Sequence, residues 1–256
     1  MLKKTGLVMI AFLLVILTAC SSSSGSSSKK TIVMGTSADY PPFESVDTAH
    51  GNQIVGFDLD MAKYIANQLG YNLQIKNQDF SGLIAALNSK QVDFVMAGMV
   101  DTPAREKQVD FSKTYYESYQ VVLTRKDSNI KSVADLKGKN VGVQLGSTQA
   151  ALAQKLNKTI PMHVQTWDKV NEMVAALQAK RLDAIITVDT VAYGYTNKDK
   201  SLEQLKIVLN GKTQADPISV AFPKNSKLKA QFDKVLQKMK TNGKEAQLVN
   251  KWIKNQ

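Results

Sequence analysis

Two hydroxyl side chains in the second half of the sequence have the placement of an anion site. Ser147 and Thr148 directly follow Gly146, where a strand-like pattern gives way to a helix-like pattern. The first backbone N–H groups of a helix have no partners within the helix and point outward, so this place suits a negatively charged group. A serine at a helix start also acts as an N-cap. The two interpretations are compatible.

Residue patterns typical of enzymes are absent from the sequence. The two histidines, His50 and His163, lie far apart, and neither belongs to an H-E-x-x-H motif. The chain has no G-x-S-x-G nucleophile elbow and no phosphate-binding P-loop. His and Cys residues also form no cluster with metal-ligand spacing. We therefore expect no catalytic residue, no bound metal and no cofactor.

The only cysteine, Cys20, ends a segment with the properties of a secretory signal. Lys3 and Lys4 precede an apolar run at residues 7–17, and the sequence at residues 17–20 resembles a bacterial lipoprotein lipobox. The alternative is an ordinary signal peptide with an incidental cysteine. The apolar run is shorter than the roughly 20 residues that cross a bilayer. We predict lipidation of the Cys20 thiol and anchoring to the membrane without a spanning helix.

The segment that follows the predicted cleavage point is rich in serine. Residues 1–19 are then the signal peptide, and residues 20–30 are a flexible linker that cannot form a core. This arrangement predicts a protein on the extracytoplasmic face of the cell membrane. Export also argues against a nucleic-acid partner, although the formal net charge is +11, because the lysines are scattered among acids.

Strand-like and helix-like segments alternate in two series. In the predicted helix at residues 56–69, apolar residues recur at four-residue spacing. The first series has strands at 31–36, 73–75 and 92–97 with helices at 56–69 and 83–87; the second has strands at 141–145, 162–164 and 184–187 with helices at 148–156 and 169–177. This alternation predicts parallel sheets covered by helices, and two series predict an α/β fold with two lobes.

Two β-rich runs are predicted to connect the lobes. Residues 115–125 lead out of the first series, and residues 217–222 lead back before helices at 227–240 and 244–253. The predicted lobes are residues 31–118 with 216–256, and residues 119–215. Two adjacent connecting strands would form a hinge, with a ligand cleft beyond the carboxyl ends of the strands.

Short motifs between residue 31 and the C-terminus occur in a characteristic order. They are residues 36–44 (TSADYPPFE), 56–60 (GFDLD), 79–87 (DFSGLIAAL), 97–99 (AGM) with Thr102 and Arg105, 109–112 (VDFS), Tyr115-Tyr116, 135–139 (DLKGK) and 146–149 (GSTQ). Together these motifs closely resemble the polar-amino-acid solute-binding proteins of ABC importers, bacterial extracellular solute-binding proteins of family 3. The resemblance implies a two-lobed, periplasmic-binding-protein-like (type II) fold with a two-strand hinge.

The resemblance also implies roles for individual residues. Arg105 matches the arginine that holds the ligand carboxylate, for which a planar guanidinium is well suited. We expect this guanidinium to be solvated in an empty, open cleft. Tyr40 and Phe80 match the rings that sandwich the ligand side chain. The predicted ligand-binding residues are Ser37, Asp39, Tyr40, Phe80, Ala97, Gly98, Val100, Arg105, Ser147, Thr148 and Asp189.

Three positions depart from the family pattern. Ser37 stands where many members carry an aspartate, and Val100 replaces a hydroxyl side chain that helps to hold the carboxylate. Val188 stands where the family usually has an acid in the second lobe. Asp39 and Asp189 are the nearest replacements for binding the ligand ammonium, although either could be a surface acid.

The resemblance implies a receptor that captures a polar amino acid and delivers it, as a monomer, to a permease driven by an ATPase. The sequence at residues 146–149 is similar to that of receptors for histidine, lysine and arginine and favours a basic ligand. Receptors for glutamine or cystine remain alternatives. A dehydratase for prephenate-like acids and an effector-sensing domain share this bilobal fold and are the less favoured alternatives.

Overall fold

The structure is a computed structural model that describes residues 29–254. The predicted signal peptide, Cys20 and most of the predicted linker lie outside the described residues. Among the helices of residues 29–254, none combines the length and the apolar character that a bilayer span requires.

The described residues form alternating strands and helices. The helices are α1 (Phe57–Gln68), α2 (Leu83–Asn88), α3 (Pro103–Glu106), α4 (Thr148–Asn157), α5 (Val170–Gln178), α6 (Asp189–Lys198), α7 (Lys227–Thr241) and α8 (Lys244–Val249), and a π-helical turn (Asn250–Lys254) follows α8. The strands are β1 (Thr31–Thr36), β2 (Asp39–Tyr40), β3 (Glu44–Asp47), β4 (Gln53–Val55), β5 (Asn72–Asn77), β6 (Phe94–Val95), β7 (Val109–Phe111), β8 (Tyr116–Arg125), β9 (Asn140–Gln144), β10 (His163–Trp167), β11 (Ala184–Val188), β12 (Leu202–Lys206), β13 (Val208–Leu209), β14 (Lys212–Thr213), β15 (Ala215–Ile218) and β16 (Ala221–Pro223).

The first lobe is built around a sheet with the strand order β5-β1-β6-β16-β7. Strands β5 and β6 run parallel to β1, whereas β16 runs antiparallel to both β6 and β7. Helix α7 covers this sheet, and the ring of Phe232 lies 4.8 Å from that of Phe94 and 5.1 Å from that of Phe222. The sheet is mixed and not purely parallel as predicted, because the returning strand enters it from the opposite direction.

The second lobe is built around a sheet with the order β10-β9-β11-β8-β12. Strands β10 and β11 run parallel to β9, while β8 lies antiparallel between β11 and β12. The first half of β8 pairs antiparallel with β15, which leads back to the first lobe. The predicted two-lobed fold with two adjacent connecting strands is confirmed. The proposed divisions at residues 118/119 and 215/216 fall within this strand pair and stay a prediction.

Helix α1 shows why most elements were predictable. Phe57, Met61 and Ile65, which recur at four-residue spacing, are all fully buried, and the chain turns out of the helix at Gly70. Of the strand predicted at residues 92–97, only the part that forms β6 is present in the structure. The chain leaves the sheet there because it bends at Gly98, whose φ of +54° lies in the left-handed region that favours glycine.

Two buried carboxyl groups lie beneath that bend. Asp58 in α1 accepts hydrogen bonds from the backbone N–H of Gly98 (3.0 Å) and from the hydroxyl of Tyr115 (2.8 Å). Burial raises the pKa of Asp58 to about 6. Burial also raises the pKa of Glu44 well above its usual value, reinforced by the charge of Asp58. We infer that Glu44 is protonated and donates a hydrogen bond to Asp58, which fixes the backbone at Gly98.

This carboxyl pair predicts a specific pH dependence of stability. The native protein keeps a proton on Glu44 that the unfolded chain releases above a pKa of 4.5. The free energy of unfolding should therefore fall as pH rises from there to the raised native pKa, by up to about 1.4 kcal/mol per pH unit. Glu44→Gln supplies an uncharged donor for Asp58 and should lose this part of the dependence.

Urea unfolding of both proteins at about pH 5 and about pH 8 measures the difference. The stability of the variant relative to wild type should be greater at the higher pH. Parallel pH profiles would contradict a protonated Glu44.

Candidate functional site

A small cavity of about 10 Å³, with room for about one water molecule, lies between the two lobes. Its walls come from the carboxyl ends of β1, β6 and β9 and from the segments that follow them, as expected for open α/β sheets. The lining residues are Tyr40, Phe80, Ala97, Gly98, Val100, Arg105, Gln144, Ser147, Thr148 and Gln149.

Arg105 supplies a cation to this cavity. The residue lies in the short helix α3, which begins with Thr102 as N-cap and Pro103 at its first position. One terminal nitrogen, Nη1, donates to the carbonyl of Val100 (2.6 Å), and Nη2 donates to the carbonyl of Gly146 in the second lobe (2.9 Å). These bonds use two of the five guanidinium N–H donors, so three have no acceptor among the described residues.

The environment of Arg105 differs from the solvated guanidinium expected from the sequence. The side chain is only 8% exposed, because the lobes meet around it. Burial lowers the pKa of Arg105 to about 10, which still leaves the group charged at neutral pH, and the charge of Asp216 opposes that shift. The guanidinium therefore bridges the lobes as well as facing the cavity.

Two aromatic rings form apolar walls of the cavity. Tyr40 packs on Phe43 with a centroid distance of 5.9 Å, and burial raises its pKa well above the usual range. A Cβ atom on Gly98 would lie 3.0 Å from the Tyr40 ring, so a side chain there would displace the ring. Phe80 lies with its ring centroid 5.4 Å from the Arg105 guanidinium carbon. The structure brings both predicted rings to the cavity.

The second-lobe wall is the start of helix α4. Ser147 is its N-cap: its hydroxyl accepts from the N–H of Ala150 (3.0 Å) and donates to the carbonyl of Gln144 (2.7 Å). The hydroxyl of Thr148 instead donates to the carboxylate of Asp216 (3.0 Å). Ser147 thus serves as the N-cap of the helix, and the first two helical residues, Thr148 and Gln149, also line the cavity.

Asp39 lies beside the cavity and joins the two lobes. Its carboxylate accepts from the hydroxyl of Ser37 (2.6 Å), from the backbone N–H of Val170 at the start of α5 (2.6 Å) and from the amide of Gln144 (3.4 Å). Burial raises the pKa of Asp39, and these bonds together with the charge of Lys169 oppose the shift. Ser37 and Asp39 therefore do not line the cavity. Asp39 contacts Gln144, which does.

Asp189 is not brought together with the other predicted residues. It lies at the start of α6, and its carboxylate accepts from the backbone N–H groups of Tyr119 (3.1 Å) and Thr190 (2.8 Å). Asp189 is the first residue of α6, directly after the end of β11, and it is not among the residues that line the cavity.

The structure adds an acid that the sequence analysis did not single out. Asp216 in β15 is only 3% exposed and accepts from the amides of Gln120 (2.8 Å) and Gln149 (2.7 Å), as well as from Thr148. Burial raises its pKa, and these donors and the charge of Arg105 oppose the shift. The one sequence signal for Asp216 is its position as a lone acid at the edge of a β-rich run.

Comparison with known proteins agrees with this geometry. The family model for bacterial extracellular solute-binding proteins, family 3, matches residues 32–255. The arginine-binding extracellular protein ArtP of Bacillus subtilis (strain 168) is 42% identical over 88% of this chain and 86% of its own length. The solved structure of an ancestral arginine-binding protein bound to arginine has 38% identity and a TM-score of 0.81, covering 88% of this chain and 99% of that one.

A relative with a different ligand also matches. The ABC transporter glutamine-binding protein GlnH of Bacillus subtilis (strain 168) is 33% identical over 87% of this chain and 81% of its own length. All three of these relatives are named as binding proteins. The resemblance found in the sequence is confirmed over nearly all of the described residues, and the chain belongs to the bacterial extracellular solute-binding proteins of family 3.

Proposed function

We propose that this protein is the extracytoplasmic receptor of an ABC importer and binds a basic L-amino acid, with arginine as the first candidate and lysine and histidine next. The observation that carries the proposal is the set of charges around the cavity. Arg105 supplies one cation, and Asp39 and Asp216 supply two buried acids. Arginine and lysine have the opposite set, one carboxylate and two cations.

This charge balance separates a basic ligand from glutamine. Buried charges are stable only when they are paired or well hydrogen-bonded. Glutamine would supply a single cation and leave one acid without a counter-charge. The name of ArtP and the arginine bound to the ancestral protein support the same choice. The naming of the relatives as binding proteins also supports a receptor over a dehydratase.

Capture and delivery follow from the two-lobed fold. A ligand that contacts both lobes stabilises the closed arrangement relative to the open one. The permease and its ATPase would then recognise the closed, loaded monomer. No group of three or more metal-ligating side chains occurs within residues 29–254, and the proposed mechanism needs no metal.

A thermal-shift panel of the twenty amino acids, ornithine and cystine tests the ligand class. Saturation at about 100 times the dissociation constant should add roughly 2.7 kcal/mol to the free energy of unfolding, which is a shift of several degrees at this size. Arginine, lysine or histidine should raise the melting temperature more than glutamine, glutamate or cystine at equal concentration. A larger shift with glutamine would overturn the ligand class, and no shift with any amino acid would overturn the receptor.

Arg105→Met tests the carboxylate partner. The variant keeps much of the side-chain volume but leaves the ligand carboxylate enclosed without a cation, which should cost about 2–5 kcal/mol, or roughly thirty-fold to several thousand-fold in affinity. Calorimetric titration with the best ligand measures the loss. Arg181→Met, at an exposed arginine of the second lobe, is the matched control. An Arg105→Met affinity within about three-fold of wild type would remove Arg105 from the site.

We further propose that Cys20 carries a lipid that anchors the receptor to the membrane. Fatty-acid labelling in cells should mark the wild-type protein and a Ser22→Ala control, but not Cys20→Ser. The purified variant should bind its ligand as wild type does, because the residues that line the cavity lie between Tyr40 and Gln149. Equal lipid labelling of Cys20→Ser and wild type would show that the cysteine is incidental.

A further inference from the structure

Asp216 is a buried acid whose hydrogen-bond donors are all neutral. Its carboxylate accepts from Thr148, Gln149 and Gln120, and among residues 29–254 no Lys or Arg nitrogen lies within ion-pair distance of it. A desolvated carboxylate with only neutral donors is stabilised less than one that also has a cation nearby. A cationic group of a ligand would therefore form a favourable ion pair with Asp216.

Gln120 provides a second unused group at the same place. The side chain is 6% exposed, and its Nε2 donates to Asp216, whereas its Oε1 has no hydrogen-bond partner within the described residues. A buried carbonyl oxygen without a donor is unfavourable, because it has lost its hydrogen bonds to water. A ligand N–H group placed between Gln120 and Asp216 would satisfy both side chains.

Strand pairing connects Gln120 to the position at which the family usually has an acid. Val188 on β11 lies directly opposite Gln120 on β8 in the antiparallel ladder. Residues directly opposite each other in such a ladder present their side chains on the same face of the sheet. Gln120 therefore presents its side chain on the face of the sheet on which the usual acid would lie.

The position of Asp216 relative to Arg105 identifies which ligand cation it would meet. The charges of Asp216 and Arg105 act on each other, whereas the charge that acts on Asp39 comes from Lys169. Thr148 and Gln149, both bonded to Asp216, line the cavity together with Arg105. The α-ammonium of an amino acid is covalently tied to its carboxylate, so the acid nearest Arg105 is the one within its reach.

We propose that Asp216 and Gln120, two residues of the hinge strands, bind the α-ammonium of the ligand in place of the missing acid at Val188. This assignment rests on the proposed function. Asp39, at the contact with α5, is then left for the side-chain cation of a basic ligand. Strands β8 and β15 connect the lobes, so an ammonium bound by their residues lies at the pivot about which the lobes rotate.

Ligand and protein can be altered together to test this assignment. The ligands are L-arginine and 5-guanidinopentanoate, which is arginine without its α-amino group. The proteins are wild type, Asp216→Asn, Gln120→Met and the control Asp127→Asn. Asp127 is an exposed acid of the second lobe that pairs with Arg125 and Lys180. Calorimetric titration gives each affinity.

The wild-type protein should bind arginine at least about thirty-fold more tightly than the analogue. Asp216→Asn should weaken arginine binding by a similar factor and leave analogue binding unchanged or tighter, so that the preference for arginine disappears. Gln120→Met should reduce the same preference several-fold. Asp127→Asn should retain it. Analogue binding by Asp216→Asn also shows that the variant is folded.

Three results would overturn the assignment. They are an equal loss of arginine and analogue affinity in Asp216→Asn, a preference that survives that variant, and a preference lost in Asp127→Asn. If Asp216→Asn does not fold, an unchanged preference in Gln120→Met is decisive against the proposal. A wild-type protein that favours another amino acid overturns only the proposed ligand class, and the same comparison with that amino acid and its desamino analogue then decides the role of Asp216.

Discussion

The burial of three charged side chains between the lobes is the constraint on which the rest of the structure depends. Arg105, Asp39 and Asp216 are each less than a tenth exposed. A charge taken out of water must be compensated by hydrogen bonds or by an opposite charge. Part of that compensation comes from the opposite lobe: the carbonyl of Gly146 accepts a hydrogen bond from Arg105, and the N–H of Val170 donates one to Asp39. The lobes must therefore meet in one register for the site to exist.

The interior of the first lobe fixes the other side of the site. Gly98 reaches the cavity because its positive φ turns the chain there, and because Asp58 holds its N–H from below. Tyr115, at the entrance to the hinge strand β8, donates to the same carboxylate. One buried carboxyl group thus connects the ligand-facing bend, helix α1 and the hinge. The shape of the cavity is set by the core as much as by the residues that line it.

Sequence patterns identified elements that depend on neighbours along the chain. The buried positions of α1 follow from four-residue spacing, and Ser147 follows from the chemistry of helix starts. The direction of β16 and the environment of Asp216 could not be predicted in this way. Asp216 meets Gln120 across 96 positions of sequence, and only the register of β8 and β15 brings them together. Asp189, one position beyond the end of β11, is not among the residues that line the cavity, and its role in binding stays a prediction.

The buried charges without an opposite charge in the protein also explain how closure of the lobes depends on whether a ligand is bound. Lobe contacts made by protein atoms include the buried hydrogen bonds of Arg105 and Asp39 and the ion pair of half-buried Lys169 with exposed Asp79, which contributes about 0–1 kcal/mol. Closure without ligand buries Asp216 against neutral donors and leaves Gln120 Oε1 without a partner among the described residues. That cost opposes closure, and a ligand that supplies the missing charge removes it. The apparent affinity is the intrinsic affinity of the closed protein multiplied by the fraction of protein that is closed. The same buried groups therefore select the ligand and limit closure in its absence.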